Sequence, residues 1–202
     1  MAEFTYRELI EIAHHDVPWR QLSGNYVEPA RFGNAEMLRV SPEALSDLTA
    51  AAFGDIAHLL RPGHLKQLRQ ILDDKEASSN DRFVAYELLK NACISAGGVL
   101  PMCQDTGTAI VMGKKGQRVW TGFDDGQEIA RGVFRAYTER NLRYSNVAPL
   151  TMFKEVNTGD NLPAQIDLYA TDGDEYEMLF VAKGGGSANK TFLFQETPSR
   201  LT

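Results

Sequence analysis

The chain has 202 residues, 43% hydrophobic and 24% charged, values of an ordinary globular domain with room for one substantial core. Its net charge of −6 is spread over both signs with no long Lys/Arg run, which argues against a surface that tracks a phosphate backbone. No apolar stretch reaches membrane-spanning length and no basic-then-apolar leader opens the chain, so a cytoplasmic protein without nucleic-acid or membrane partners is expected.

In chain order, the first half predicts helices. Thr5 and Glu8 form a capping-box pattern with Phe4 and Leu9 as its hydrophobic staple, and Tyr6, Leu9, Ile10 and Ala13 recur at helical spacing. Residues 17–40 carry Pro and Gly and read as a loop. Ser41-Pro42-Glu43 starts a further helix with Leu45, Leu48, Ala52, Ile56 and Leu59 on one face, as far as Arg61-Pro62-Gly63. A short helix over 64–72 comes next. Beyond the polar break 73–80, Phe83, Val84, Leu88, Leu89, Ala92 and Cys93 predict a well-buried helix that stops at Gly97-Gly98.

The second half mixes strand and helix signals. Thr108–Met112 and Val119-Trp120 read as a hairpin around Gly113-Lys114-Lys115-Gly116. Asp124 and Asp125 can cap a helix carrying Ile129, Val133, Phe134 and Tyr137 that ends near Leu142-Arg143. Ala164, Ile166, Leu168 and Ala170 alternate with Gln165, Asp167 and Tyr169; after Thr171-Asp172-Gly173-Asp174 the run 176–182 resumes the alternation, predicting a second hairpin. Helices early and strands late make the class α+β, with a helical segment 1–78 and a portion 79–202 in which an antiparallel hairpin sheet packs on helices.

Two cysteines make no disulfide framework, and their spacing is not that of a zinc or thioredoxin motif, so any metal needs ligands from elsewhere. Cys93 lies on the apolar face of its helix and reads as core packing. Cys103 comes after Pro101 in an irregular polar segment between a Gly-terminated helix and a strand. There it is either an accessible reactive or ligating thiol, or a buried loop cysteine beside an Asx-type turn, and spacing alone leaves both open. The run Lys183-Gly184-Gly185-Gly186-Ser187-Ala188-Asn189-Lys190 either cradles an anion with backbone amides or packs tightly; it has neither Walker A nor Rossmann spacing. Arg140 and Arg143, near Ser145-Asn146, either complement a helix dipole or clamp a carboxylate. His14, His15, His58 and His64 have no partner spacing and read as surface or packing residues.

Five strings occur together in order: Leu100-Pro101-Met102-Cys103-Gln104-Asp105-Thr106-Gly107, Asn141-Leu142-Arg143-Tyr144-Ser145, Lys154-Glu155-Val156-Asn157-Thr158-Gly159, Leu162-Pro163-Ala164-Gln165-Ile166 and the glycine run 183–190. As a set they resemble the N-terminal domain of class I, iron-sulfur-dependent fumarate hydratases, from about Phe83 to Glu196 and more loosely upstream. The resemblance implies a hydro-lyase acting on a small dicarboxylate, fumarate or malate, and a homodimer when full length. It also implies a 4Fe-4S cluster held by three cysteines, with one iron open to substrate. Cys103 alone matches a cluster ligand, so the resemblance implies an excised domain, inactive alone, with the other ligands, the carbon-proton base and the C-terminal domain elsewhere. By the same resemblance Gln104 and Asp105 lie beside the cluster, Asp105 protonates the leaving hydroxyl, Arg143 clamps a carboxylate and the Gly186 region offers it backbone amides. A tartrate dehydratase α-subunit-like hydro-lyase and a non-catalytic anion-binding domain are the competing readings.

Overall fold

The computed structural model describes residues 3–8, 19–143, 147–186 and 192–200. Two strands, β1 (Val27–Phe32) and β2 (Ala35–Val40), precede three helices, α1 (Pro42–His58), α2 (Pro62–Asp73) and α3 (Ser79–Ser95). Then come β3 (Thr108–Gly116), β4 (Val119–Trp120), helix α4 (Asp125–Glu139) and the strands β5 (Val147–Thr151), β6 (Lys154–Asn157), β7 (Gln165–Thr171) and β8 (Tyr176–Lys183). The α+β class is as the sequence predicts.

Local chemistry explains the helix starts. Pro42 sits in the first turn of α1, where a fixed φ and a missing N–H do no harm. Ser78 and Asp81 form a reciprocal capping box on α3, and the Asp124 carboxylate accepts from Gln127 N–H (3.0 Å) at the head of α4. The core forms where α1 and α4 cover the sheet β7-β3-β8. Ala109 and Val111 of β3 are fully buried against Phe53, Ile129, Val133 and Tyr137. At the α1–α4 crossing, a Cβ on Gly132 would lie 2.5 Å from the Ser46 carbonyl oxygen and 2.5 Å from Thr49 Cβ. Gly132→Ala therefore overpacks a backbone contact, and is expected to lower stability by about 1–3 kcal/mol despite the better helix propensity of alanine. A lower melting midpoint checks this; an unchanged one would mean the helices part freely.

Several sequence expectations are corrected. Part of the predicted loop 17–40 is the hairpin β1–β2, so the described part of 1–78 is not wholly helical. Its two-residue turn Gly33-Asn34, with Gly33 at φ 60°, is a recognisable hairpin signal, but the flanking strands are mostly exposed and lack alternation. Neither predicted hairpin of the second half forms. Strand β3 runs straight through Gly113 and pairs with β7 in parallel and with β8 antiparallel, separating the two expected partners, while β4 pairs with β2. Alternation reports which face is buried, not which strand lies alongside.

Helix α3 buries Ala85, Ala92 and Ser95 but leaves Phe83, Val84, Leu88 and Cys93 exposed, because it packs chiefly on α2. Phe134 of α4 is likewise exposed. Residues 3–8 carry no helix, and Leu9, Ile10, Ala13, His14 and His15 lie outside the described residues. His58 is buried in the last turn of α1 with Nδ1 2.8 Å from Gly54 O, and His64 is exposed, as read from the sequence.

Candidate active site

The segment between α3 and β3 is strapped to three helical supports. Met102 N–H donates to Ala57 O of α1 (2.9 Å), the Asn91 side chain of α3 donates to Met102 O (2.8 Å), and Asn141, just past α4, donates to Val99 O (3.0 Å). These bonds satisfy backbone groups that no strand or helix ladder serves. They hold the next four residues in place: Cys103 and Gln104 are exposed, Asp105 is half-buried and Thr106 is buried. The buried loop cysteine reading of Cys103 is therefore excluded, although the Asx-type turn beside it is present, with Gly107 N–H donating to Asp105 Oδ1 (3.3 Å).

Two of the residues singled out in the sequence converge on Asp105. Gly185 N–H, just past the end of β8, donates to Asp105 Oδ2 (2.7 Å), and Arg143 Nη1 lies 4.0 Å from Asp105 Oδ1. The approach needs glycine on both sides. Gly107 adopts φ 79°, and a Cβ there would meet the backbone of Ala182 and Lys183 at 2.9 Å; a Cβ on Gly184 would stand 3.3 Å from Asp105 Oδ2. The glycine run thus serves close packing and also aims an amide at a carboxylate. Gly186 is exposed beside it, and a Cβ there would meet nothing within 4 Å; Ser187 to Lys190, like Ser145 and Asn146, lie outside the described residues. Arg140 does not join the group: its guanidinium rests against Gly54 of α1.

The sequence reading missed three residues that hold this arrangement. Thr106 Oγ1 accepts from Arg143 N–H (3.0 Å), tying the arginine backbone to the Asp105 loop. The Tyr137 hydroxyl is within donating distance of Thr106 O (2.9 Å) and Gly107 O (3.1 Å), and Asn161 bonds Gly107 and Ala109 from the far side. Burial first, and the Asp105 charge second, push the Tyr137 pKa well above its ordinary value, so its hydroxyl keeps its proton for donation. The available signal was slight: Tyr137 reads as a core face residue, and Asn161 is one polar residue before Leu162-Pro163.

By itself the site loop offers a metal one thiolate ligand. Cys103 presents an accessible thiol, while among the described residues no group of three His, Cys, Asp or Glu side chains could hold a metal.

Comparison with known proteins gives the family. A family model described as fumarate hydratase (Fumerase) matches residues 46–202. The chain is 56% identical over 199 residues to a class I aerobic fumarate hydratase of Escherichia coli K12, covering 98% of this chain and 36% of that protein. It is 53% identical over 204 residues to the mitochondrial fumarate hydratase 1 of Leishmania major, covering 100% of this chain and 37% of that one. A Methanocaldococcus jannaschii protein named for an L(+)-tartrate dehydratase subunit alpha is 32% identical over 160 residues, covering 77% and 55%. A chain with this α+β fold, this site loop and these relatives belongs to the class I fumarate hydratase family. It spans little more than a third of the length of the fumarate hydratases it matches. No helix among the described residues is long and apolar enough to cross a membrane.

Proposed function

We propose that the complete protein reversibly hydrates fumarate to malate, and that this chain forms one wall of the site. The observation that supports it is the meeting of Asp105, Arg143 and the Gly185 amide, which come from three of the five strings that resemble class I fumarate hydratases. Hydration adds a hydroxyl to one alkene carbon and a proton to the other; the reverse reaction removes a weakly acidic proton beside a carboxylate and expels the hydroxyl. Either way, negative charge gathers on an already dianionic substrate, and fixed donors are what such a site needs.

Cys103 is the residue of this chain that would hold a 4Fe-4S cluster, which when bound supplies a Lewis-acidic iron for the substrate hydroxyl. Arg143, half exposed, offers a planar two-pronged donor to a substrate carboxylate. The Gly186 amide, next to the Gly185 amide already aimed at Asp105, adds a backbone donor, and the exposed Gln104 amide adds a polar contact on the same side of the loop. Asp105, steadied as a carboxylate by Gly185 and Arg143, takes up a proton from solvent and then passes it to the departing hydroxyl. The base that takes the carbon-bound proton, and the remaining cluster ligands, belong to a further domain. On this reading residues 1–202 alone, supplied anaerobically with iron and sulfide, show no fumarase turnover; turnover there would sink the divided-site account.

Arg143→Lys in the complete protein should raise KM for fumarate about tenfold or more with a smaller change in kcat, since a point charge replaces the fork. An unchanged KM counts against the clamp. The tartrate-named relative supports the second reading, a hydro-lyase of the same chemistry on a hydroxylated diacid. Assaying fumarate, mesaconate and tartrate side by side decides between them, and a complete, anaerobically purified protein with no iron chromophore would favour the non-catalytic anion-binding reading.

A further inference from the structure

Asn161 stands out among the residues the proposed reaction leaves unused. Its side chain is fully buried, and its φ of 65° makes it the non-glycine residue that takes the left-handed region among the described residues. Both ends of its amide are committed, one to the site loop and one to the start of β3: Nδ2 donates to Gly107 O (2.6 Å) and Oδ1 accepts from Ala109 N–H (3.1 Å). The β7–β3 ladder begins at Gln165 and Ile110, so the Asn161 side chain continues the ladder where the strand has run out. From the other side, the Tyr137 hydroxyl bonds Thr106 O and Gly107 O. A residue needed only for filling a core would be apolar, because a buried amide is tolerated only when its bonds are made.

We infer that Asn161, helped by Tyr137, is a positioning residue of this site: Asn161 fixes the Gly107–Thr108 peptide, Tyr137 holds that one and the Thr106–Gly107 peptide before it, and together they set where Asp105 and Arg143 stand. The coupling is local and continuous. Asp105 is the residue before Thr106, and the Thr106 hydroxyl accepts from Arg143 N–H. If these peptides drift, the carboxylate leaves the Gly185 amide and the arginine backbone loses its anchor. The inference rests on the proposed roles of Asp105 and Arg143, and its test separates the two.

In the complete enzyme, Asn161→Gly keeps the left-handed backbone without strain and removes only the amide; Asn161→Ala removes the amide and adds strain; Tyr137→Phe removes the opposing bond. Each is expected to lower kcat for fumarate, with the glycine variant falling on the order of 10²-fold, the scale for a reacting group displaced by about 1 Å. KM should change by much less. Hydrogen exchange should also quicken in the peptide spanning 184–186, whose Gly185 amide Asn161 does not touch. Gly132→Ala, which weakens the fold elsewhere, should lower the melting midpoint without either effect. Parental kcat and parental exchange at 184–186 in Asn161→Gly would overturn the inference, as would the same kcat loss in Gly132→Ala. A parent enzyme that fails to hydrate fumarate would instead sink the proposed reaction, and the exchange measurement would then decide the clamp by itself.

Discussion

Cys103→Ser in the complete protein is expected to abolish the iron-sulfur chromophore and fumarate turnover together while leaving the fold almost untouched. The separation arises from how the segment is held. Its anchors are backbone and amide bonds at Val99 and Met102, none of which uses the cysteine side chain, and the thiol is exposed. An exposed substitution that breaks no such bond usually changes stability by no more than about 0.5 kcal/mol. A serine hydroxyl is a far poorer iron ligand than a thiolate, so metal binding takes the whole effect. Cys93→Ser supplies the control. Cys93 is also exposed, yet it sits on α3 with no part in the Asp105 loop, so its replacement should leave spectrum and rate alone. An intact cluster spectrum in Cys103→Ser would end the ligand assignment.

The sequence made some of this legible and hid the rest for physical reasons. Helix starts are local chemistry, so Pro42 and the Asp124 cap stand where the residues place them, while the Ser78–Asp81 box lies in a stretch read only as a polar break. The buried face of α4 is also legible at Ile129, Val133 and Tyr137, because 3.6-residue periodicity survives whatever packs on it. Strand pairing is not local. Val111, Ile166 and Phe180 each look like half of a hairpin, yet β3 lies between β7 and β8, an order that only the fold as a whole decides. The apolar residues of α3 mislead differently: Phe83 and Leu88 have core character but no cover among the described residues.

At the site, the string holding Cys103, Gln104 and Asp105 was recognisable through its resemblance to the family, whereas its supports were not. Asn161 is 54 residues from the carbonyl it holds, and nothing in its neighbourhood shows that its amide substitutes for a strand. The same holds for the twofold use of the glycine run. Its composition leaves anion binding and tight packing open, and the structure makes them one feature, since the close approach at Gly107 and Gly184 is what brings the Gly185 amide to Asp105.

That dependence sets up the second large effect, Gly107→Ala. Two costs meet at this position. Alanine at φ 79° carries the left-handed penalty of roughly 1–2 kcal/mol, and its Cβ would press on Ala182 C, Lys183 N and Lys183 C at 2.9–3.0 Å, backbone atoms that cannot swing aside. Overpacking of that kind adds about 1–3 kcal/mol, so a loss near 2–5 kcal/mol is expected. Gly159→Ala isolates the first cost. Gly159 has almost the same φ, 77°, but its Cβ would meet nothing within 4 Å, so it should lose only the conformational share. The excess at Gly107 is then the energy of holding the Asp105 loop against the end of β8. If that contact also serves the reaction, Gly107→Ala loses kcat on the order of 10²-fold while Gly159→Ala keeps most of it. Equal stability losses in the two variants would show that the loop and β8 separate without penalty, and the Gly185 bond to Asp105 could not then be what holds the carboxylate in place.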